Sequence, residues 1–160
     1  MNDDRCLAAL LRASGKTVGL AESCTGGLVA ARITAVSGSS VYFNGGVVAY
    51  ANQVKQLLLG VPQQVLERFG AVSAETARAM AEGARRVLDC DVALSVTGVA
   101  GPDGGTVEKP VGTVYIALAD GVLCQVREYR FVGSRDEIRR DTVESTLKWL
   151  QNYLESVKNS

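Results

Sequence analysis

The chain has 160 residues, of which 47% are hydrophobic and 21% charged, a composition that is typical of globular proteins and excludes disordered and fibrous ones. Its 17 basic residues balance its 17 acidic residues, so no net charge draws it to nucleic acid or to an anionic membrane. No secretory signal opens the sequence and no apolar run is long enough to span a bilayer, so we expect a soluble cytoplasmic protein without nucleic-acid or membrane partners.

The first half of the chain alternates between helical and strand patterns. Leucines at helical spacing predict a helix over 4–13, and 17–21 is typical of a buried strand. A glycine turn at 26–27 leads into a predicted helix over 28–36. A second strand is predicted over 41–51, with a bulge or a close backbone approach at Gly45-Gly46. Short helices are expected from Asn52 and from Pro62.

The second half begins with a long helix from Ser73, whose predicted apolar face consists of Ala77, Met80, Ala81, Ala84, Val87 and Leu88. A third strand (92–96), a glycine-rich loop (97–110) and a β-hairpin over 113–131 follow, with Asp120-Gly121 as a two-residue turn. A final helix over 134–157 carries an apolar stripe from Val143 to Val157. The alternation predicts an α/β fold, a three-layer α/β/α domain over 1–160 with a mixed sheet. We interpret the stripe as core; the alternative is the seam of a homo-oligomer.

The absence of histidine limits the chemistry that this chain can perform. It excludes a Ser-His-Asp triad, a Cys-His pair and a histidine zinc site, so any general base must be Lys, Tyr, Asp or Glu. The four cysteines, Cys6, Cys24, Cys90 and Cys124, have no metal-ligand spacing, and we interpret each as a reduced, buried small hydrophobe. We therefore expect no metal.

The turn from Ser23 through Thr25, Gly26 and Gly27 is the first candidate site. It joins a strand to a helix, where backbone N–H groups and the positive end of the helix dipole would stabilise an anion or an oxyanion. The alternative is purely structural, with Ser23 or Thr25 as a helix cap. Either Ser23 or Cys24 could be a nucleophile in this turn. Cys24 would have Glu22 or Lys55 as its partner, because a thiolate is stabilised at a helix N-terminus.

Three further features could bind or activate a substrate. In the loop that contains Thr97, Gly98 and Gly101, backbone amides could approach a phosphate, although neither standard nucleotide-binding motif is present and a plain turn is the alternative. Arg135 and Arg139 stand four apart on one helix face and could hold a phosphate, unless they are solvated surface charges. Lys55, near Tyr50, could act as a base if burial lowers its pKa; the alternative is a surface lysine.

Six ordered segments carry a resemblance to a known family. They are residues 21–27 (AESCTGG), 38–40 (GSS), 50–55 (YANQVK), 70–73 (GAVS), 97–102 (TGVAGP) and 109–114 (KPVGTV). From about Lys16 to the last helix the chain resembles the C-terminal domain of the competence-damage-inducible protein CinA and its stand-alone form, nicotinamide mononucleotide deamidase. Gln53 stands where that family often has Glu, and Phe69 where it often has His.

The resemblance implies a reaction and a set of site residues. Nicotinamide mononucleotide, a small-molecule nucleotide, would be hydrolysed to nicotinate mononucleotide and ammonia in pyridine nucleotide salvage, without a metal or organic cofactor. The family's serine nucleophile would be Ser23, and Lys55 with Tyr50 would take and return the proton. Ser40, Thr97 and Arg135 match further positions of the family's site. The alternative is a module of the same family that binds or senses a nucleotide without catalysis.

Overall fold

The structure, a computed structural model, describes residues 2–158, except for the side chain of residue 2. Within this range the chain forms helices that alternate with the strands of one sheet. The elements are α1 (Asn2–Ser14), β1 (Val18–Glu22), α2 (Leu28–Thr34), a 3-10 helix (Ser39–Val41), β2 (Phe43–Val48), α3 (Asn52–Leu59), α4 (Gln63–Phe69), α5 (Ala74–Val87), β3 (Val92–Gly98), β4 (Thr113–Ala119), β5 (Cys124–Arg130) and α6 (Arg135–Lys158).

The five strands form one mixed sheet in the order β2-β1-β3-β4-β5. The first three are parallel to one another, whereas β4 runs antiparallel to both β3 and β5. The register between β1 and β2 shifts between Val18 and Gly19, which pair with Phe43 and Gly45, so the irregularity falls at Asn44, directly before the glycine pair where the sequence predicted it. The predicted α/β fold with a mixed sheet is likewise confirmed.

Helices cover both faces of the sheet, which gives the predicted three layers. Alternate residues of β1 belong to different hydrophobic clusters because successive strand side chains point to opposite faces. Val18 and Leu20 pack with residues of α1, α2 and α6, whereas Ala21 packs with residues of α3, α4 and α5. A side chain's place along β1 therefore decides which helical layer it meets.

Close packing between α3 and α5 depends on Gly83. A Cβ atom added at Gly83 would lie 2.0 Å from the carbonyl oxygen of Leu59, the last residue of α3. No side chain fits there, so the end of α3 rests directly against the backbone of α5. This contact holds the helix that carries Lys55 against the sheet.

Several sequence predictions need correction. The hairpin turn is wider than two residues, because β5 begins only at Cys124, and the Asp120 carboxylate accepts hydrogen bonds from the N–H groups of Val122 and Leu123. Val87 is 52% exposed and Val157 41%, so both lie outside the core. Cys6 is exposed and Cys124 only half-buried, whereas Cys24 and Cys90 are buried as predicted.

The ends of two elements also differ from the sequence prediction. Helix α2 ends at Thr34, and β2 covers only Phe43–Val48. No helix among residues 2–158 is long and apolar enough to cross a membrane.

Candidate active site

Ser23 lies at the carboxyl end of β1, where the chain changes direction across the sheet. Its N–H donates to the carbonyl oxygen of Val96 on β3 at 3.0 Å. From β1 the chain continues to β2 on one side, and it later returns to β3 on the other. Crevices at the carboxyl ends of parallel strands, at such a switch of strand order, are the usual binding sites of open α/β sheets.

The side chain of Lys55 reaches Ser23 from α3. Its Nζ lies 3.1 Å from Ser23 Oγ, 2.8 Å from the carbonyl oxygen of Ala49 and 3.1 Å from that of Tyr50. Lys55 is only 1% exposed, so the alternative of a solvated surface lysine is wrong. Burial disfavours the ammonium form and lowers the pKa of Lys55 below the ordinary lysine value of 10.5.

The three contacts use the three N–H bonds of the ammonium form, which donates to Ser23 Oγ and to both carbonyl oxygens. A neutral Lys55 has two N–H bonds and one lone pair, and the carbonyl oxygens of Ala49 and Tyr50 can accept the two N–H bonds. In that form the lone pair faces Ser23 Oγ, 3.1 Å away, and can accept the hydrogen of the Ser23 hydroxyl. The arrangement can therefore take a proton from Ser23 and make it a nucleophile.

The amides of the Ser23–Gly27 turn are used differently from the sequence expectation. The Gly26 N–H donates to the carbonyl oxygen of Ser23 at 3.0 Å, and the Gly27 N–H donates to the Glu22 carboxylate at 3.0 Å. Neither glycine amide is thus open to a substrate. Within residues 2–158, the N–H groups of Cys24 and Thr25 donate to no protein oxygen, and the N–H of Cys24 has its own thiol as a partner.

Glu22 is the residue whose role the sequence reasoning missed. It is 1% exposed, and its carboxylate accepts from the Thr25 hydroxyl at 2.6 Å and from the backbone N–H groups of Gly27, Val29 and Ala30. Glu22 thus caps α2, a role that the sequence proposed for Ser23 or Thr25. The available signal was an acidic residue shortly before a helix N-terminus, where a carboxylate is stabilising.

Cys24 faces away from Ser23. It is 5% exposed and belongs to the hydrophobic cluster on the α1, α2 and α6 face of the sheet. Burial raises the pKa of its thiol to about 12, which suppresses the thiolate form. The geometry therefore favours Ser23 over the rival nucleophile Cys24.

Tyr50 and Arg135 contact each other close to Lys55. The Arg135 guanidinium donates to the Tyr50 hydroxyl at 3.0 Å and to the carbonyl oxygen of Gly101 at 2.8 Å. Tyr50 is 59% exposed, and it contacts Lys55 through its backbone carbonyl. The predicted proton relay through the Tyr50 hydroxyl is thus not supported, because that hydroxyl has Arg135 as its partner.

Arg139 contacts the turn that follows Ser23. Its Nε donates to the carbonyl oxygen of Cys24 at 3.1 Å, and its Nη2 donates to that of Thr25 at 3.2 Å. The spacing of four positions does bring Arg135 and Arg139 to the same end of the sheet. Arg139, however, directs at least two of its donors to protein backbone, which the sequence did not predict.

The residues of the glycine-rich loop have mainly structural contacts. Thr97 is 1% exposed and donates its hydroxyl hydrogen to the carbonyl oxygen of Ala71 at 2.6 Å. A Cβ atom at Gly98 would lie 2.8 Å from the carbonyl oxygen of Thr113, so this glycine allows β4 to approach. Thr97 and Gly98 follow Val96, the partner of the Ser23 N–H, and so lie near Ser23. Their contacts described above are with protein atoms and serve the fold.

Ser40 lies near the amino ends of the parallel strands, whereas Ser23 lies at their carboxyl ends. It belongs to the 3-10 helix that precedes β2, and the next residues lead to Tyr42, whose carbonyl accepts from the Val18 N–H at the start of β1. Since a strand rises about 3.3 Å per residue, the length of β1 separates Ser40 from Ser23 by on the order of 15 Å. The structure does not bring Ser40 into the site within one chain, contrary to expectation.

Within residues 2–158 there is no group of three or more His, Cys, Asp or Glu side chains placed to hold a metal ion.

Relatives with similar sequences are CinA-like proteins. One from Citrifermentans bemidjiense is 60% identical over 152 residues, which cover 95% of this chain and 36% of that protein. One from Geobacter sulfurreducens is 59% identical over 151 residues, covering 94% and 37%. The chain thus spans little more than a third of the length of these curated relatives.

Solved structures give the same relationship. The competence/damage inducible protein CihA from Agrobacterium tumefaciens superposes with a TM-score of 0.90 at 39% identity, covering 97% of this chain and 96% of that one. A CinA superfamily protein from Klebsiella pneumoniae gives a TM-score of 0.93 at 29% identity, covering 97% of each chain. The CinA C-terminal domain family matches residues 3–154. This chain belongs to the CinA C-terminal domain family.

Proposed function

We propose that the protein hydrolyses the carboxamide of nicotinamide mononucleotide to nicotinate mononucleotide and ammonia, a step of pyridine nucleotide salvage. The observation that carries this proposal is the contact between the buried Lys55 amine and the Ser23 hydroxyl at the switch point of the sheet. Such a pair suits the cleavage of an amide through an acyl intermediate. Membership of the CinA family and the sequence resemblance to its deamidases supply the substrate.

The acylation half of the reaction uses one proton twice. Lys55 accepts the proton of the Ser23 hydroxyl while Oγ attacks the carboxamide carbon and forms a tetrahedral intermediate. When the carbon–nitrogen bond breaks, the Lys55 ammonium returns the proton to the leaving nitrogen, so ammonia departs and Ser23 carries the nicotinoyl ester. The reaction needs no proton source other than Lys55 up to this point.

Deacylation repeats the exchange with water. Lys55 takes a proton from the attacking water, whose oxygen adds to the ester carbon. The bond between that carbon and Oγ then breaks, and Lys55 returns the proton to Ser23. The product is the carboxylic acid, and the enzyme regains its starting state.

The oxyanion of both intermediates needs donors close to Ser23. The amides of Gly26 and Gly27 are engaged within the protein, so we assign the oxyanion to the N–H groups of Cys24 and Thr25. The N–H of the residue after a nucleophilic serine is a common oxyanion donor in hydrolases. Fixed donors of this kind are worth several kcal/mol to a transition state, roughly 3 to 4 each.

Recognition of the nucleotide is assigned to the arginines at the same edge. Arg135 is exposed and carries a positive charge beside Tyr50, where it would bind the phosphate by charge-assisted bonds. The N–H groups of Arg139 that do not donate to the Cys24 and Thr25 carbonyls would also bind the phosphate. The exposed ring of Tyr50 offers a face on which a cationic pyridinium ring would be stabilised.

The test is ammonia release from nicotinamide mononucleotide by the purified protein, with nicotinate mononucleotide identified by chromatography. Turnover that persists in excess chelator and is lost in Ser23→Ala is the expected result. Saturable binding of the nucleotide without ammonia release would replace this proposal by a binding or sensing module. Activity lost in chelator and restored by zinc would contradict the metal-free mechanism.

A further inference from the structure

The Glu22 carboxylate fills the helix terminus that would otherwise be open to a substrate anion. Its Oε2 accepts from the Thr25 hydroxyl, the Gly27 N–H and the Val29 N–H, and its Oε1 accepts from the Ala30 N–H. All four donors belong to the turn and first helical residues immediately after the nucleophile. A buried carboxylate with these contacts ties the turn to β1.

The same turn is held from its carbonyl side by Arg139. The carbonyl of Cys24, which accepts from Arg139 Nε, shares one rigid peptide unit with the N–H of Thr25. Glu22 fixes the side chain of Thr25, and Arg139 fixes the peptide plane before it. Arg139 thus sets the direction of the Thr25 N–H, and the Gly26 N–H, which donates to the Ser23 carbonyl, sets that of the Cys24 N–H within the turn that Glu22 anchors.

We propose that Glu22 is a positioning residue, which holds the turn so that the N–H groups of Cys24 and Thr25 are aligned with the oxyanion formed at Ser23. This inference rests on the proposed function, because it assigns Glu22 to the same acyl-transfer site. Displacing catalytic donors by about 1 Å can cost a large factor in rate, on the order of a hundredfold.

The contacts also argue against Glu22 as the general base. Its two oxygens already accept four hydrogen bonds, and the carboxylate points toward α2, whereas Ser23 meets Lys55 of α3. Glu22 therefore acts on the reaction through the backbone and takes no proton from Ser23. A base and a positioning residue differ in one measurable respect, the effect of their loss on the pH profile.

The experiment compares Glu22→Gln with a matched carboxylate elsewhere. The glutamine side chain has the same shape, but its NH2 group donates hydrogen bonds at a position where a Glu22 oxygen accepts them. The turn must therefore shift. The control is Asp120→Asn, because Asp120 also accepts from two backbone N–H groups, in the hairpin turn at the opposite edge of the sheet. We expect both variants to be less stable than the wild type, but only Glu22→Gln should have a lower kcat.

For Glu22→Gln we expect kcat to fall roughly tenfold or more, with KM within about threefold and an unchanged pH midpoint of kcat/KM. A second pair of variants guards against misfolding. Thr25→Val removes the hydroxyl that Glu22 accepts from and should lower kcat in the same way, whereas Thr34→Val, which removes an exposed hydroxyl at the end of α2, should retain kcat. Folding of each variant is checked by circular dichroism and thermal unfolding.

A second measurement separates this inference from the choice of substrate. A fluorophosphonate probe phosphonylates Ser23 as Oγ attacks phosphorus, fluoride leaves and Lys55 takes the proton. Labelling should be roughly tenfold slower in Glu22→Gln than in the wild type or in Asp120→Asn. Labelling of wild type without turnover of nicotinamide mononucleotide would reject the proposed substrate alone. Unchanged kcat and labelling in folded Glu22→Gln, or a shifted pH midpoint, would reject the positioning role.

Discussion

Lys55 Nζ and Ser23 Oγ lie 3.1 Å apart, although 32 positions separate the two residues in the chain. Serine alone is a weak nucleophile near neutral pH, and its activation depends on a neighbouring base. In the proposed mechanism the protonation state of Lys55 therefore controls the reactivity of Ser23. The first two predictions follow from this contact.

We expect kcat/KM to rise with pH through a midpoint below 10.5, the ordinary value for lysine. Burial lowers the pKa of Lys55, and only the neutral amine can accept the Ser23 proton. At pH values between the lowered pKa of Lys55 in the folded protein and its ordinary pKa in the unfolded chain, the unfolded chain binds more protons. The contribution of Lys55 to the free energy of unfolding therefore also increases with pH across that window. Initial rates across the pH range test the prediction. A midpoint at or above 10.5 would contradict it.

We expect Lys55→Arg to lower kcat by roughly a hundredfold or more, the usual contribution of a positioned general base. Arginine retains the positive charge, but its guanidinium stays protonated and cannot accept the Ser23 proton. Lys148→Arg, at an exposed position of α6, is the control and should leave kcat unchanged. If a folded Lys55→Arg protein kept kcat within a few fold, Lys55 would not be the base.

We expect Ser23→Ala to abolish ammonia release, whereas Cys24→Ala should keep most of it. The Cys24 thiol lies in the core with a pKa of about 12, so its loss costs packing of about 1 kcal/mol rather than chemistry. Turnover and thermal unfolding of both variants make the comparison. The reverse pattern would transfer the nucleophile to Cys24.

We expect Arg135→Ala to lower kcat/KM for nicotinamide mononucleotide by roughly tenfold or more, with a much smaller effect on nicotinamide riboside, which lacks the phosphate. The unaltered protein should accordingly prefer the nucleotide. Arg140→Ala, an exposed arginine of the same helix, serves as the control. Equal losses for the two substrates would show that Arg135 does not bind the phosphate.

We expect Gly83→Ala to destabilise the protein by about 1 to 3 kcal/mol, the usual cost of overpacking. Alanine favours helix by about 1 kcal/mol over glycine, but its Cβ would overlap the Leu59 carbonyl, so the packing loss should dominate. Because α3 carries Lys55, kcat should fall too. Urea unfolding measures the first effect, with Glu82→Ala at the neighbouring exposed position as the control. A stabilised Gly83→Ala protein would contradict the close contact.

Sequence periodicity predicted the succession of helices and strands along the chain because each element has a distinct apolar pattern, and the hairpin predicted the mixed sheet. The ends of elements were less certain. Asp120-Gly121 favoured a two-residue turn, but the Asp120 carboxylate stabilises a wider one through the N–H groups of Val122 and Leu123. Local side-chain hydrogen bonds of this kind cannot be read from apolar spacing.

The site was predictable where local sequence decides it. The sequence predicted the turn at Ser23 and proposed Lys55 as a base, and the structure brings the two side chains into contact. The sequence did not predict that the amides of Gly26 and Gly27 are occupied, and the Gly27 contact depends on the side chain of Glu22 folding over the turn. Ser40 was grouped with Ser23 on the family resemblance alone, and the sequence does not state at which end of the strands a connection lies. That placement follows only from the strand order.

The contact of Arg139 with the carbonyl of Cys24 joins positions 115 residues apart. Ribosomal synthesis proceeds from the N-terminus, so the turn after β1 is made early and its arginine partners, on α6, are made late. A nascent chain that ends before α6 lacks Arg135 as well as Arg139. In the partly synthesised protein the turn therefore lacks the contacts that α6 makes with its carbonyl oxygens, and these contacts form only when the last helix has been translated.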